Sequence, residues 1–335
     1  MRYVKFLYLA LGLALLVTVV GQTNLDEVYQ RVSEIGWGLT VVLAIYCAAF
    51  AIDSFTWLMA LPSQPMNTLW TVRAFLVRMV GEAFNHVIPA ASMGGEPVKA
   101  VLLKRRYDVG YREAVASLIL ARTINMVALC LFLIAGFSFV IADEQLSGSA
   151  KGVAGTGLTV MLLATFLFFA VQRFRITSLT GIWLSRWRIA TRLEAVLGHI
   201  YDMDERLVGF YTEYRGRFVL AVALALVNWV LGVVEVFVAM AFLGHPVTLT
   251  EAWIIESVAQ MVRTGTFFIP ASIGAQEGAF FLISGVITGS PSLGLAVGVV
   301  RRIRELIWIG LGFAIGALYS VRPGDAPADE EGSAG

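Results

Sequence analysis

The chain has 335 residues, of which 58% are hydrophobic and 15% charged, and its mean hydropathy is +0.77. Soluble domains are about half apolar and about a quarter charged, so this composition excludes an ordinary soluble domain and predicts an all-α polytopic membrane protein. The formal net charge of +1 gives no reason to expect nucleic acid as a partner.

Six apolar runs are long enough to cross a bilayer, which takes about 17 to 25 residues. They lie at residues 4–21, 37–60, 113–141, 153–171, 218–243 and 293–320. The first run follows Arg2 and Lys5 and has no small-residue cleavage site after it. We therefore expect it to be a retained transmembrane helix and not a signal peptide.

Two further apolar stretches, 72–103 and 251–289, are each interrupted by an Ile-Pro-Ala sequence. The two copies of this motif occupy residues 88–97 and 269–278. Proline and small residues break the helix in each copy, and one carboxylate follows the break. An arginine then follows at nearly the same distance, because Arg122 lies 26 residues after Glu96 and Arg302 lies 25 residues after Glu277. A repeated broken element that carries charges inside apolar sequence is typical of a functional site in a membrane protein.

Basic residues in short loops predict which side of the membrane each loop occupies. Arg2 and Lys5 place the N-terminus in the cytoplasm, and the four basic residues within 104–112 place that loop there too. The stretch 72–103 therefore enters and leaves the membrane on one side, as a re-entrant hairpin that opens to the cytoplasm.

The same rule predicts the orientation of the second half of the chain. Residues 172–217 carry eight arginines interleaved with apolar residues, which predicts a cytoplasmic insertion of amphipathic helices on the membrane surface. The uncharged loop at His245 is predicted to lie outside, and Arg322 places the C-terminus in the cytoplasm. The stretch 251–289 is then a second re-entrant hairpin, which opens to the outside.

The two halves share the order crossing, crossing, hairpin, crossing. Three full crossings is an odd number, so repeat one (4–141) and repeat two (153–320) have opposite orientations, as in the inverted repeats of secondary transporters. We predict a single membrane domain over 1–322, with six full transmembrane helices and two re-entrant hairpins. Residues 323–335 are acidic and rich in small residues, which predicts a disordered tail.

Polar residues at predicted membrane depth form the candidate site. Gly94 and Gly95 permit a tight turn, and Glu96 follows at the start of a new half-helix, whose free N–H groups are suited to an anion. Arg122 and Arg302 lie near the middle of their crossings. The candidate substrate-binding residues are Glu82, Asn85, Gly94, Gly95, Glu96, Arg122, Asn125, Arg263, Gln276, Glu277, Arg302 and Glu305.

Two interpretations of the repeated charges stay open. Glu96 and Glu277 can serve as helix caps or as structural partners of Arg122 and Arg302, which lock each hairpin to the following helix. Alternatively, the arginines bind a lipid phosphate bidentately. Both can hold if the substrate competes with the carboxylate for the arginine.

Other polar residues are predicted to support the fold. Arg78 and Glu82 are spaced i, i+4 on the first hairpin and form a polar stripe, as do Glu256, Gln260 and Arg263 on the second. Asp53 and Glu235 stand alone in their apolar runs, and a packing role is at least as well favoured for them as a functional one.

Patterns typical of enzymes are missing from the sequence. His86, His199 and His245 are far apart and lack metal-ligand spacing, and no Walker or G-x-S-x-G motif occurs. We therefore expect no enzymatic activity, no catalytic residues, no metal and no cofactor. The acidic pair Asp26-Glu27 in the predicted first outer loop leaves a polyprenyl-sugar glycosyltransferase as an alternative.

Several longer motifs carry a family resemblance. They are Gly94-Gly95-Glu96-Pro97-Val98-Lys99-Ala100, Gln276-Glu277-Gly278 and Arg301-Arg302-Ile303-Arg304-Glu305. Together they resemble the flippase-like membrane domain of bacterial lysylphosphatidylglycerol synthases and their stand-alone relatives, over roughly residues 5 to 320. When Gly36-Trp37-Gly38 is included, the motifs are most similar to those of the hopanoid-biosynthesis-associated branch.

The resemblance implies a multi-pass protein of the bacterial inner membrane that moves or handles lipids. It also implies no synthetic activity, since the soluble aminoacyl-transfer domain of the synthases would follow the membrane domain. We expect a lipid translocase or flippase-like carrier whose partner is an anionic phospholipid or a hopanoid-type lipid. The alternative is a non-transporting membrane partner of a lipid (hopanoid) biosynthesis enzyme.

Overall fold

The computed structural model describes residues 25–87, 94–142, 148, 151–152, 155–160, 162–163, 213–266, 269 and 272–319. Within these ranges the chain forms nine principal helices and no β-strand. The helices are α1 (Leu25–Glu34), α2 (Gly38–Met59), α3 (Thr68–Val87), α4 (Glu96–Tyr107), α5 (Tyr111–Ala142), α6 (Arg215–Phe242), α7 (Leu249–Gly265), α8 (Ala275–Thr288) and α9 (Pro291–Leu318).

Three helices, α2, α5 and α6, are long and apolar enough to cross a membrane. They confirm long apolar helices at three of the predicted crossings, 37–60, 113–141 and 218–243. Helix α9 has 28 residues and coincides with the crossing predicted at 293–320, but it carries four charged side chains close together. The predicted run 4–21, most of 153–171, the insertion 172–217 except for its last residues, and the tail 323–335 lie outside the described residues.

The first predicted hairpin corresponds to α3 and α4, which pack against each other in opposite directions. The Trp70 and Tyr107 rings, at the outer ends of the two helices, are 5.6 Å apart. At the other end, Gly95 lies so close to the backbone carbonyl of Gly81 that an added Cβ would overlap it. Helix α4 has 12 residues, about 18 Å at 1.5 Å per residue, which is shorter than the roughly 30 Å hydrocarbon core.

The second predicted hairpin corresponds to α7 and α8, which also pack together. Helix α7 begins with a capping box between Thr248 and Glu251, a strong helix start. Helix α8 follows Gly274, whose φ of 79° is one that glycine adopts without strain. At 14 residues, α8 is about 21 Å long and is also shorter than the hydrocarbon core.

Equivalent helices of the two halves pack in opposite directions. Trp37, next to the start of α2, packs edge-on against Phe242 at the end of α6, with ring centroids 5.2 Å apart. Helix α3 packs on α9, and its counterpart α7 packs on α5, so exchanging the two halves preserves these contacts. An inverted repeat requires an antiparallel arrangement of this kind.

Candidate functional site

The chemistry of the site is concentrated in two groups of ion pairs, one in each half of the chain. The first ionic cluster consists of Asp53, Arg78, Glu82, Glu96, Lys99 and Arg122. The second ionic cluster consists of Glu235, Glu256, Glu277, Arg301, Arg302, Arg304 and Glu305. Each cluster joins the second crossing, the hairpin and the last helix of its own half.

Lys99 is the centre of the first ionic cluster. Its Nζ atom lies 2.9 Å from Glu82 Oε1 and 3.2 Å from Glu96 Oε1, and the residue is only 3% exposed. Arg122 Nη2 reaches the same Glu96 oxygen at 3.0 Å. Glu96 is therefore shared by a buried lysine on its own helix and an arginine on α5.

The rest of the first ionic cluster is built around Asp53. Its carboxylate accepts a close hydrogen bond from Arg78 and another from Asn125 Nδ2 at 3.2 Å. Arg78 also lies 3.9 Å from Glu82, the partner that the i, i+4 spacing predicts. Asp53 stands alone in the sequence of α2, but it is paired in the folded protein, which agrees with a packing role.

The start of α4 differs from a free anion site. The helix begins at Glu96, with Pro97 in the first turn, as predicted. The N–H of Gly95 donates to Asn85 Oδ1 at 2.7 Å, and Asn85 Nδ2 donates to Glu82 Oε2 at 3.3 Å. Asn85, on the other arm of the hairpin, therefore accepts the hydrogen of one backbone N–H group, that of Gly95. The sequence predicts that N–H groups at this helix start are free to bind an anion.

Glu277 combines the two roles that the sequence left open for it. Its Oε2 atom accepts the Gly274 N–H at 2.9 Å, which is a helix cap. Its Oε1 atom accepts hydrogen bonds from Arg302, one of them from Nε at 3.1 Å. Arg302 thereby joins α9 to α8, and its Nη1 also lies 2.8 Å from Glu305 Oε2 on its own helix. Gln276, the neighbour of Glu277, is buried on α8.

A buried part of the second ionic cluster fixes α9 to α6 and α7. Arg301 Nη2 is 2.5 Å from Glu256 Oε2, and its Nε is 3.3 Å from Glu235 Oε1. Arg304 pairs closely with the same Glu235. All four side chains are 5% exposed or less. Both partners of Arg301 are therefore on α6 and α7.

The two clusters follow the same sequence register. An acid on the second crossing, an acid at the start of the second hairpin arm and an arginine on the last helix recur after intervals of 180 to 182 residues. The matching pairs are Asp53 with Glu235, Glu96 with Glu277, and Arg122 with Arg302. The repeated ion pair between hairpin and following helix is therefore present in both halves.

Exposure separates the arginines into two kinds. The side chains of Arg301 and Arg304 are 5% exposed, so they are structural partners inside the fold. The side chains of Arg122 and Arg302 are 51% and 26% exposed. These two arginines, at equivalent positions, are the most exposed of the five arginines in the two ionic clusters.

The first arms of both hairpins end near Glu305. Val80 lies against Gly316 and the Phe84 ring is 5.3 Å from Phe313, so α3 runs antiparallel to α9 and ends towards the turn that carries Glu305. Arg263, near the end of α7, interacts electrostatically with Glu305. The hairpin residues 88–93, 267–268 and 270–271 lie outside the described residues.

Lys99 is not among the site residues predicted from the sequence, although its spacing from Glu96 marks it as a partner. Lys99 is three residues after Glu96 in a helix, the spacing at which opposite charges meet. The contacts of Asp53 and Glu235 gave no such signal, because their partners are distant in sequence and depend on how the helices pack. In the part of the chain that the structure describes, no group of histidine, cysteine and acidic residues could hold a metal ion.

Comparisons with known proteins agree with this architecture. The family model described as the lysylphosphatidylglycerol synthase TM region matches residues 5–312. A UPF0104 membrane protein of Methanothermobacter thermautotrophicus is 20% identical over 308 residues, which cover 87% of each chain. A UPF0104 membrane protein of Pyrococcus horikoshii is 21% identical over 321 residues, covering 91% of this chain and 93% of the relative. No solved structure matches the chain significantly.

Proposed function

We propose, because the chain belongs to the family of the lysylphosphatidylglycerol synthase TM region, that it is a carrier that moves a lipid headgroup across the membrane. The chain is a membrane protein, as its family and the three long apolar helices among the described residues show. The proposal goes further in naming a lipid as the cargo. It names as the path the polar centre, which is formed by the first and second ionic clusters.

One observation carries the proposal. The same carboxylate–arginine pair links the hairpin to the following helix in each half, at Glu96 with Arg122 and at Glu277 with Arg302. In each pair the arginine is the more exposed partner. A guanidinium can bind a phosphate with two parallel hydrogen bonds, so a lipid phosphate can compete with the carboxylate for it.

The proposed architecture has six crossings and two hairpins that enter from opposite faces. The headgroup would occupy the polar centre while the acyl chains stay in the bilayer, and rocking of one repeat against the other would open the centre to each face in turn. The antiparallel packing of α2 and α6 supports this scheme, as do the short arms α4 and α8. We place the protein in the bacterial inner membrane with both termini in the cytoplasm.

The proposed cargo is an anionic phospholipid or a hopanoid-type lipid. The polar centre contains ion pairs and no nucleophile that is hydrogen-bonded to a general base among the described residues, so we propose a carrier and not an enzyme. A lipid biosynthesis enzyme is a possible functional partner of such a carrier, since it would supply the lipid that is moved.

Lipid movement by the purified protein tests the proposal. Liposomes containing acyl-labelled fluorescent phosphatidylglycerol are treated with dithionite, which bleaches only the outer leaflet. We expect bleaching to go beyond the outer-leaflet fraction when the protein is present, and to stop there in protein-free liposomes.

No movement of phosphatidylglycerol or of a hopanoid-type lipid, with or without an ion gradient, would contradict a carrier. A protein that binds these lipids without moving them would instead present them to an enzyme. The glycosyltransferase alternative requires polyprenyl-sugar turnover that is lost when Asp26 or Glu27 is replaced by alanine.

A further inference from the structure

Among the described residues, the charges of the two ionic clusters and Arg263 balance. The first ionic cluster contains three acidic and three basic side chains. The second contains four acidic and three basic side chains, and Arg263, which interacts with Glu305, supplies the fourth base. The hairpin residues outside the described part have no ionisable side chains in their sequence, at 88–93, 267–268 and 270–271.

A neutral centre does not favour an anion entering alone. Moving a net negative charge from water into a low-dielectric interior is unfavourable unless an opposite charge comes with it. The existing arginines already have carboxylate partners, so releasing one of them to a phosphate leaves a carboxylate behind. An anionic headgroup therefore needs one additional positive charge in the site.

His86 is placed to provide this charge. It lies in the last turn of α3, and its Nδ1 is 3.2 Å from the carbonyl oxygen of Glu82. When Nδ1 donates its hydrogen to that carbonyl, Nε2 is the atom that gains or loses a proton. Histidine is the ordinary side chain that changes its charge between pH 5 and 8.

Charged groups on three helices lie within electrostatic range of His86. They are Glu305 and Arg302 on α9, Arg263 on α7 and Glu82 on α3 itself. The charged groups on the neighbouring arm α4, Glu96 and Lys99, are held in ion pairs with each other.

On α2, the charged group nearest the first hairpin is Asp53, which is paired with Arg78. The titratable group of α2 on the α9 side is Tyr46, whose ring lies 3.9 Å from the guanidinium carbon of Arg304. His86 therefore lies among charges that balance when its own ring is neutral.

We propose that His86 binds a proton when an anionic headgroup enters, so that the site takes up one proton and one negative charge together. The proton comes from water and the ring becomes imidazolium. The added positive charge keeps the centre neutral when the phosphate replaces a carboxylate beside an arginine. This inference rests on the proposed function, and it assigns the cargo to lipids with a net negative headgroup.

The proposal predicts a direct link between pH and binding. With acyl-labelled phosphatidylglycerol as the probe and the full-length protein in detergent micelles, we expect the affinity to fall at least about tenfold between pH 6 and pH 8. Calorimetry at pH 7 in buffers of different ionisation enthalpy should show uptake of part of a proton for each lipid bound. Acyl-labelled phosphatidylcholine, which has no net charge, should show neither effect.

Variants at position 86 test which residue is responsible. His86→Gln should bind phosphatidylglycerol weakly and equally at both pH values, while His86→Lys should bind it tightly at both. The matched control is His245→Gln, which removes a histidine from the loop between α6 and α7 and should keep the pH dependence of the wild type.

The outcomes separate this inference from the carrier proposal. If phosphatidylglycerol binds with no proton uptake, or if His86→Gln keeps the wild-type pH dependence, His86 is not the coupled group and the carrier proposal is unaffected. If neither lipid binds or moves at any pH, the carrier proposal itself fails. Should His86→Gln not fold, proton uptake by the wild type and the behaviour of His86→Lys still decide the question.

Discussion

Replacing Glu235 by glutamine should lower the free energy of unfolding by about 3 to 5 kcal/mol, the cost of leaving a buried charge without its partner. Glu235 holds both Arg301 and Arg304, and all three side chains are 5% exposed. Glutamine keeps the shape of the side chain and removes only its charge, so no cavity contributes to the loss. Unfolding by SDS titration in mixed micelles measures the effect.

Two further variants show whether the uncompensated charge is the cause. Glu251→Gln alters a glutamate in the capping box of α7 and should cost about 1 kcal/mol or less. The double variant Glu235→Gln, Arg304→Met removes one excess positive charge, while Arg301 keeps Glu256. It should regain at least half of the lost stability, and a double variant less stable than the single one would contradict the explanation.

Replacing Arg122 by alanine should slow lipid movement by about 30-fold or more. The variant loses the proposed pair between Arg122 and the lipid phosphate, and losing one partner of a desolvated charge pair costs about 2 kcal/mol or more. Stability should change by no more than about 1 kcal/mol, because half of the Arg122 side chain is exposed and Glu96 keeps Lys99 at 3.2 Å. Arg122→Lys should be intermediate, because lysine keeps the charge but lacks the planar fork. The dithionite assay measures the rates.

Lys104→Ala is the matched control for Arg122→Ala. It removes the same charge from an exposed pair with Asp108, at 3.3 Å, and should leave the rate unchanged. If Arg122→Ala folds and moves lipid at the wild-type rate, Arg122 only holds the first hairpin. Arg302 is less suited to this test, because its removal leaves both Glu277 and Glu305 without their shared partner.

The sequence predicts the repeated elements well because their signals are local. Proline and glycine break the helix before Glu96, and the apolar run between charges predicts α5 within two residues at each end. Of the two interpretations that the repeated charges leave open, the structure contains the ion pairs of the first, Glu96 with Arg122 and Glu277 with Arg302.

The partners of the buried charges could not be predicted in the same way. Arg301 and Glu305 are spaced i, i+4 on one helix, yet Arg301 reaches Glu256 and Glu235 instead. That choice depends on how closely α6 and α7 pack against α9, which periodicity within one helix does not encode. The position of His86 near Glu305 likewise follows from the crossing of α3 with α9.

The central claim is that the two hairpins enter the membrane from opposite faces, and cysteine accessibility tests it most directly. After Cys47 and Cys130 are replaced by alanine, Lys104→Cys and Ser290→Cys are introduced one at a time and treated with a membrane-impermeant maleimide. We predict that position 290, after the second hairpin, is labelled in intact cells, and that position 104, after the first, is labelled only in permeabilised cells. Labelling of both positions from the same side would contradict the inverted repeat and the shared polar centre.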